Sequence, residues 1–265
     1  MNMFLHELKA YRKSTIIWAF SLVAILVLFM SMFPGLTRDA ADFKKLLEGY
    51  PEGVRKAFGI SLESITSLLG FYSYVFAYIL LCGSIQAMNL GISILSKESR
   101  EKTADFLLTK PVKRNQVVTA KLSAALTSLI ITNGIYLAAA VIIAMAVSTK
   151  PFDIQTFTLI SLTAFWVECM FLALGVLVSA VVTRIKSVLP LSLSTVFGFY
   201  VLNMFGAVIG EKAIRYLTPF KYYDTAYIIK HSSYETSYII IEIIVIAGAI
   251  AASYMIYAKK DIHAV

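Results

Sequence analysis

Six apolar runs of about 20 residues each constrain the fold of this chain more than any other feature. Each run is long enough to cross about 30 Å of hydrocarbon as a helix that rises about 1.5 Å per residue. Lipid offers no partners to backbone N–H and C=O groups, so segments of this kind must be helical. The sequence therefore predicts an all-α, polytopic membrane protein. We expect its transmembrane helices within residues 16–33, 68–95, 122–147, 157–182, 188–209 and 238–258.

The composition agrees with a membrane protein and argues against nucleic-acid binding. Of the 265 residues, 58% are hydrophobic and 15% are charged, whereas soluble domains are about 25% charged. The net charge of +8 comes from basic residues that flank the apolar runs. Anionic lipid and the preference of basic residues for the cytoplasmic side account for this charge. We therefore expect a lipid bilayer, and no nucleic acid, as a partner.

The distribution of basic residues predicts that both termini lie in the cytoplasm. With that orientation, 14 of the 24 Lys and Arg residues lie on the cytoplasmic side, which such residues favour. The short loop at residues 183–187 contains Arg184 and Lys186 and no acidic residue, so it should be cytoplasmic as well. We expect a multi-pass protein of a bacterial plasma membrane, in which residues 1–265 form one domain.

Segments outside the spans predict further helices. The apolar residues of segment 1–14 share one helical face, which predicts a short interfacial helix leading into the first span. In residues 38–66, apolar side chains recur at helical spacing and predict one or two amphipathic helices on the outer face, broken near Pro51. Residues 210–237 are rich in tyrosine, as in an aromatic belt. We expect the Pro34-Gly35 pair to end the first span.

Between the second and third spans, residues 97–121 contain seven Lys or Arg and three Glu or Asp residues. The acidic residues recur at steps of three and four, so they lie on one side of a helix. An apolar triplet follows, each side chain of which gains about 1.5–3 kcal/mol when it is buried. A protein partner is therefore expected to cover the triplet; the alternative is a solvated basic loop. In order, the residues are Glu98, Glu101 and Asp105, then Phe106, Leu107 and Leu108, and then Pro111, which ends the helix.

This segment resembles the one between spans two and three in permease subunits of type-2 ATP-binding-cassette (ABC) exporters. That segment has Glu, a Gly-Thr pair, two Leu, Pro, a basic residue and Lys; here Lys102 replaces the usual Gly. Residues 217–224 are similar to the family's Pro-Phe-aromatic stretch after the fifth span. Residues 7–14, followed by Trp18, are similar to its N-terminal segment. The matching residues of the first segment are Glu98 or Glu101, Thr103, Leu107, Leu108, Pro111, Lys113 or Arg114, and Lys121.

The resemblance implies that this segment is a cytoplasmic coupling helix that docks on a separate ABC ATPase subunit. In that family two permeases, identical or homologous, work with two ATPases, whose ATP-driven dimerisation rocks the permeases against each other. The sequence contains no G-x-x-x-x-G-K-[ST] motif. We therefore expect no cofactor in this chain, and ATP and Mg²⁺ to be bound by the ATPase. The docking residues that the resemblance implies are Glu98, Glu101, Thr103, Leu107, Leu108 and Pro111.

Few polar or flexible residues stand out within the spans. Glu168 lies midway along the fourth span, where a carboxylate is costly. It either lines the translocation route or pairs within the bundle, or it is protonated or hydrogen-bonded to a neighbouring Ser or Thr. Glu242 is expected to reach water at the outer boundary. Gly206 and Gly210 form a G-x-x-x-G pattern that permits close helix approach, and the resemblance suggests that they lie at the dimer interface.

Together these observations predict the membrane subunit of an ATP-driven exporter for an amphipathic or hydrophobic cargo, such as a peptide, a drug or a lipid-like molecule. By itself the chain is not expected to be an enzyme. The alternatives are an ATP-independent secondary transporter, a membrane scaffold or an intramembrane hydrolase. The sequence contains no catalytic constellation, and its three histidines are too far apart to predict a metal site.

Overall fold

A computed structural model of the protein describes residues 3–62, 64–100, 114–182, 185–210 and 212–259. The structure is 85% helical, with no strand in the described residues. Six of its helices are long and apolar enough to cross a membrane. The prediction of an all-α protein with six transmembrane helices is confirmed.

The structure consists of long transmembrane helices and of short helices at one end of the bundle. The α-helices of the described residues are α1 (Met3–Met30), α2 (Phe33–Arg38), α3 (Ala40–Glu48), α4 (Glu52–Ala57), α5 (Leu68–Arg100), α6 (Arg114–Val147), α7 (Ile154–Val181), α8 (Val188–Ile209), α9 (Lys212–Leu217), α10 (Thr225–His231) and α11 (Thr236–Lys259). Those long enough to span are α1, α5, α6, α7, α8 and α11. A short 3₁₀ helix, Pro219–Lys221, lies between α9 and α10.

The N-terminal segment differs from the sequence prediction. It is not a separate interfacial helix but the start of α1, because no Gly or Pro interrupts the chain between Met3 and Met30. The Pro34-Gly35 pair does not end this helix either. It lies in the first turns of α2, where proline is tolerated because no intrahelical bond needs its missing N–H. The predicted break near Pro51 occurs between α3 and α4, since Pro51 is the N-cap residue of α4.

Helices α5 and α7 form the centre of the bundle. In the most apolar 18-residue stretch of each of these helices, 61% is buried inside the bundle. The corresponding share in the other four spanning helices is 17–28%. Their backbones touch where Gly91 of α5 faces Gly175 of α7. A Cβ atom at Gly91 would lie 2.9 Å from the Cα of Gly175, and one at Gly175 would lie 2.8 Å from the carbonyl oxygen of Met88. Only glycine at both positions permits this approach.

The other spanning helices pack around this pair, each through one stripe of its surface. Helix α1 lies mainly on α6, α11 lies on α7, and α8 lies on α5. The buried residues of α1 recur every three or four positions, as on one face of a helix, whereas Ile16, Ile17 and Phe20 are exposed. The exposed apolar faces of these outer helices are those that lipid or a partner must cover. The buried stripe of α1 is Glu7, Tyr11, Thr15, Ala19, Leu22, Leu26 and Met30.

The contact between α5 and α7 predicts that Gly91→Ala destabilises the protein. The added methyl group would overlap backbone atoms, which cannot rotate away, and overpacking of this kind costs about 1–3 kcal/mol. We expect a lower melting temperature for the purified protein. The matched control is Gly134→Ala in α6, where a Cβ would meet no atom within 4 Å. Equal melting temperatures for the two variants would contradict the close approach.

Candidate coupling site and buried polar contacts

The structure describes both ends of the predicted coupling segment but not its centre. Glu98 lies in the last turns of α5, which ends at Arg100, and α6 begins at Arg114. The remaining docking residues lie outside the described residues, so their role stays a prediction. These are Glu101, Thr103, Asp105, Phe106, Leu107, Leu108 and Pro111.

A buried lysine links the two ends of this segment to the N-terminal helix. The Lys121 side chain, two turns into α6, is 1% exposed. Its Nζ donates a hydrogen bond to the carbonyl oxygen of Ile94 in α5 at 2.8 Å. The Oε1 atom of Glu7 in α1 lies 4.0 Å from the same Nζ. Because a buried charge is stable only when it is paired and hydrogen-bonded, this contact fixes α1, α5 and α6 relative to one another.

The first turns of α6 also contact the C-terminal helix. The hydroxyl groups of Thr119 and Tyr254 are hydrogen-bonded at 2.7 Å. Arg114 Nη1 donates long hydrogen bonds of 3.5 Å to the carbonyl oxygens of Tyr257 and Ala258 near the end of α11. A cation is favourable there because the last carbonyls of a helix carry partial negative charge. The start of α6 therefore contacts α1, α5 and α11.

A second group of polar residues lies midway along the bundle, between α5, α6 and α7. Asn133 Nδ2 donates a 2.6 Å hydrogen bond to Oε2 of Glu168, and Gln86 Nε2 donates one of 2.9 Å to Thr132. Glu168 is 1% exposed. Glu168 is therefore hydrogen-bonded within the bundle, to an amide rather than to the expected Ser or Thr hydroxyl.

Three hydroxyl groups continue this polar interior away from the end that carries Lys121. Tyr72 of α5 is hydrogen-bonded to Tyr136 of α6 and, at 2.6 Å, to Ser161 of α7. All three side chains are buried. Hydroxyl groups both donate and accept, so a cluster of them satisfies itself without water. No sequence pattern predicts this cluster, because tyrosines in a span are as typical of packing as of polar contacts.

The segment between α8 and α11 covers the end of the bundle opposite Arg100 and Arg114. Glu242 of α11 is 2% exposed and accepts a hydrogen bond from Tyr223. The expectation that Glu242 reaches water is therefore wrong: the tyrosine-rich segment covers it. Burial, together with the adjacent Glu242 carboxyl, raises the pKa of Tyr223 above its ordinary value, which keeps its proton available for this bond.

Charged residues hold the same segment, between α8 and α11, in place. Arg215 forms a bidentate ion pair with Glu235, and its guanidinium lies 4.0 Å from the ring centre of Tyr238. Asp224 caps α10 by accepting from the N–H groups of Ala226 and Tyr227. Burial alone would raise the pKa of Asp224, but the charge of the neighbouring Lys221 and these N–H donors bring it below the ordinary value. Asp224 is therefore a carboxylate at neutral pH, the form that caps a helix best.

Both glycines of the G-x-x-x-G pattern have roles within the chain. A Cβ atom at Gly206 would lie 2.8 Å from Cγ2 of Ile214 in α9, so a side chain of the same molecule fills the space that glycine leaves. Gly210 ends α8 in the left-handed conformation, with φ of 76°, which suits glycine. These contacts explain the two glycines without a second molecule. Their place at a dimer interface stays a prediction.

The comparison with known protein families agrees with this arrangement. The profile of the family described as ABC-2 family transporter protein matches residues 1–262, which is nearly the whole chain. The chain therefore belongs to the ABC-2 family of transporter proteins, and it is a multi-pass transmembrane permease that is not itself catalytic. Membership of this family implies association with an ABC ATPase. A comparison with curated proteins finds no significant match.

The sequence singled out Glu168 and Lys121 but not their partners, and it did not single out the hydroxyl cluster. Glu7 and Lys121 each belong to a segment that carries the family resemblance, but nothing in the sequence pairs them. A signal was present, since Lys121 is followed at once by the apolar run of the third span. A lysine at that depth requires a partner.

The buried position of Lys121 predicts that Lys121→Met strongly destabilises the protein. The substitution leaves Glu7 buried without this cation, and breaking a buried pair costs about 3–5 kcal/mol. The matched control is Lys45→Met, because Lys45 and Asp42 form an ion pair on α3 whose side chains are 78% and 85% exposed. Exposed pairs contribute about 0–1 kcal/mol. Melting temperatures should separate the two variants clearly, and similar values would show that the Lys121 contact is weak.

Proposed function

We propose that this chain is the membrane subunit of an ATP-driven exporter and that the coupling segment docks on the ATPase subunit through residues from Glu98 to Pro111. The family match over residues 1–262 is the observation that carries the proposal. The sequence resemblance of residues 97–121 to a coupling helix supports the docking role. ATP and Mg²⁺ would be bound by the ATPase, and the assembled complex would hydrolyse ATP.

The contacts at the base of the coupling segment support a mechanical role for it. Lys121 brings the start of α6 together with α1 and the end of α5, and Thr119 and Tyr254 join it to the end of α11. The N-terminal end of α1 and the C-terminal end of α11 therefore lie at the same end of the bundle as Arg100 and Arg114, which flank residues 101–113 in the sequence. In our proposal this end faces the cytoplasm, as the distribution of basic residues predicts.

ATP-driven closure of two ATPases would push on the two coupling segments of a permease dimer. Because the start of α6 contacts three other helices, the force would move the bundle rather than bend one loop. The two permeases would then open alternately to the two sides of the membrane. This alternating access would carry the cargo outwards.

The proposed second permease, identical or homologous, would contact an exposed apolar face. On α8 such a face includes Phe197, Val201 and Phe205. Gly206 and Gly210 lie on the same helix, but a direct contact through Gly206 would require Ile214 to move. We therefore expect the dimer contact to involve the exposed side chains of α8. The glycine pair would join this contact only if α9 were displaced.

The cargo that we propose is amphipathic or hydrophobic. The described outer segments are short helices that carry exposed apolar side chains, among them Leu46, Val54 and Phe58. Surfaces of this kind suit molecules that partition into the outer leaflet. A peptide, a drug or a lipid-like molecule would meet this requirement.

The proposed docking role predicts that replacing two residues of the apolar triplet abolishes ATPase binding. The variant Leu107→Asp with Leu108→Asp places two negative charges in the proposed docking surface. An unpaired charge that an interface buries is strongly unfavourable. We expect the ATPase subunit no longer to co-purify with the permease. The matched control is Leu46→Asp on α3, an exposed leucine at the opposite end of the bundle, which should leave co-purification intact. Undiminished co-purification of the double variant would count against docking through this segment.

A further inference from the structure

Glu168 occupies space that exists only because residue 83 is glycine. A Cβ atom built on Gly83 of α5 would overlap Oε1 of Glu168, and the same atom would lie 3.0 Å from the carboxyl carbon Cδ. The carboxyl group therefore lies directly against the backbone of α5. Glu168 belongs to α7, so this contact lies in the same helix pair as the Gly91–Gly175 contact, about two turns of α5 away.

The two oxygen atoms of Glu168 have different surroundings. Oε2 accepts the 2.6 Å hydrogen bond from Asn133 Nδ2. Oε1 is buried and has no hydrogen-bond partner among the described residues. The described residues also place no Lys or Arg side chain within ion-pair distance of Glu168. A carboxylate would leave its negative charge uncompensated at this depth, which is the costliest position for a charge in a membrane protein.

The titratable groups around Glu168 cannot supply a positive charge either. On α6, Tyr136 is close enough to interact electrostatically with Glu168, and on α7 the adjacent Cys169 interacts with both Glu168 and Glu242 of α11. On α5, Tyr72 is hydrogen-bonded to Tyr136. Each of these groups is neutral when protonated and negative when it loses its proton. A proton on Glu168 itself is the simplest way for its carboxyl group to be neutral at this position.

We propose that Glu168 is a proton-binding site in the middle of the membrane, with its proton on Oε1 and with Oε2 accepting from Asn133. The neutral carboxylic acid fits into the space at Gly83 and holds α7 against α5 and α6. Glu168 is then a positioning residue of the bundle, not a contact for cargo. The proposal needs only the membrane location of the chain and does not depend on the proposed export function.

Protonation of Glu168 has a direct spectroscopic test. The full-length protein in lipid nanodiscs at neutral pH is compared with Glu168→Gln by infrared difference spectroscopy. We expect the wild type to show the carbonyl stretch of a protonated carboxylic acid and the variant to lack it. Glu48→Gln on α3 is the control, because this exposed carboxylate should contribute no such band. A difference spectrum that shows only the loss of a carboxylate band would overturn the proposal.

The fit between Glu168 and Gly83 has an independent test in melting temperature. Glutamine has nearly the shape of a protonated glutamate, so Glu168→Gln should retain the wild-type melting temperature, whereas Glu168→Ala should lower it. Gly83→Ala should also lower it, because the new methyl group overlaps the carboxyl group. In the double variant Gly83→Ala with Glu168→Ala that overlap is removed.

The double variant therefore decides the outcome. We expect its loss of melting temperature to be smaller than the sum of the two single losses. If Gly83→Ala yields no folded protein, recovery of folded protein in the double variant is the supporting result. Additive losses, no recovery, or a loss in Glu168→Gln as large as that in Glu168→Ala would contradict the proposed contact.

Discussion

The backbone contact between α5 and α7 at Gly91 and Gly175 is the interaction on which the rest of the structure depends. In lipid the hydrophobic effect does not drive helices together, so their association requires close packing and polar contacts. Glycine at both positions lets the two backbones touch, and these two helices are by far the most buried of the six. The four other spanning helices cover this pair, and each leaves an apolar face exposed.

Buried polar residues add specificity where three or more helices meet. Lys121 joins α1, α5 and α6 at the end of the bundle that carries the coupling segment, and Glu168 joins α5, α6 and α7 midway along it. Such contacts select one arrangement of helices that apolar packing alone would leave nearly equal in energy. Since α5 leads directly into the coupling segment, the segment is attached to the best-packed helix of the bundle.

The sequence predicted the six spans because length and apolarity are properties of each segment by itself. The partners of buried residues depend on which helix faces meet, and no local pattern encodes that. Glu242 shows the difference: its position near the expected outer boundary suggested contact with water, but Tyr223 from the segment that precedes α11 covers it. Gly206 is a similar case. The G-x-x-x-G pattern predicts that some group can approach this glycine closely, but it does not predict that the group is Ile214. The unbroken α1 was predictable, since residues 3–30 contain neither Gly nor Pro. The docking role of the residues from Glu98 to Pro111 remains a prediction from sequence.

The side of the membrane on which the coupling segment lies is the most direct test of this account. Single cysteines replace Lys110 in the coupling segment or Lys45 in α3, with Cys82 and Cys169 changed to serine, and a membrane-impermeant maleimide is added to intact cells. The account predicts labelling of Lys45→Cys in intact cells and of Lys110→Cys only after the membrane is opened. Labelling of Lys110→Cys in intact cells would contradict a cytoplasmic coupling segment and, with it, the proposed connection to an ATPase.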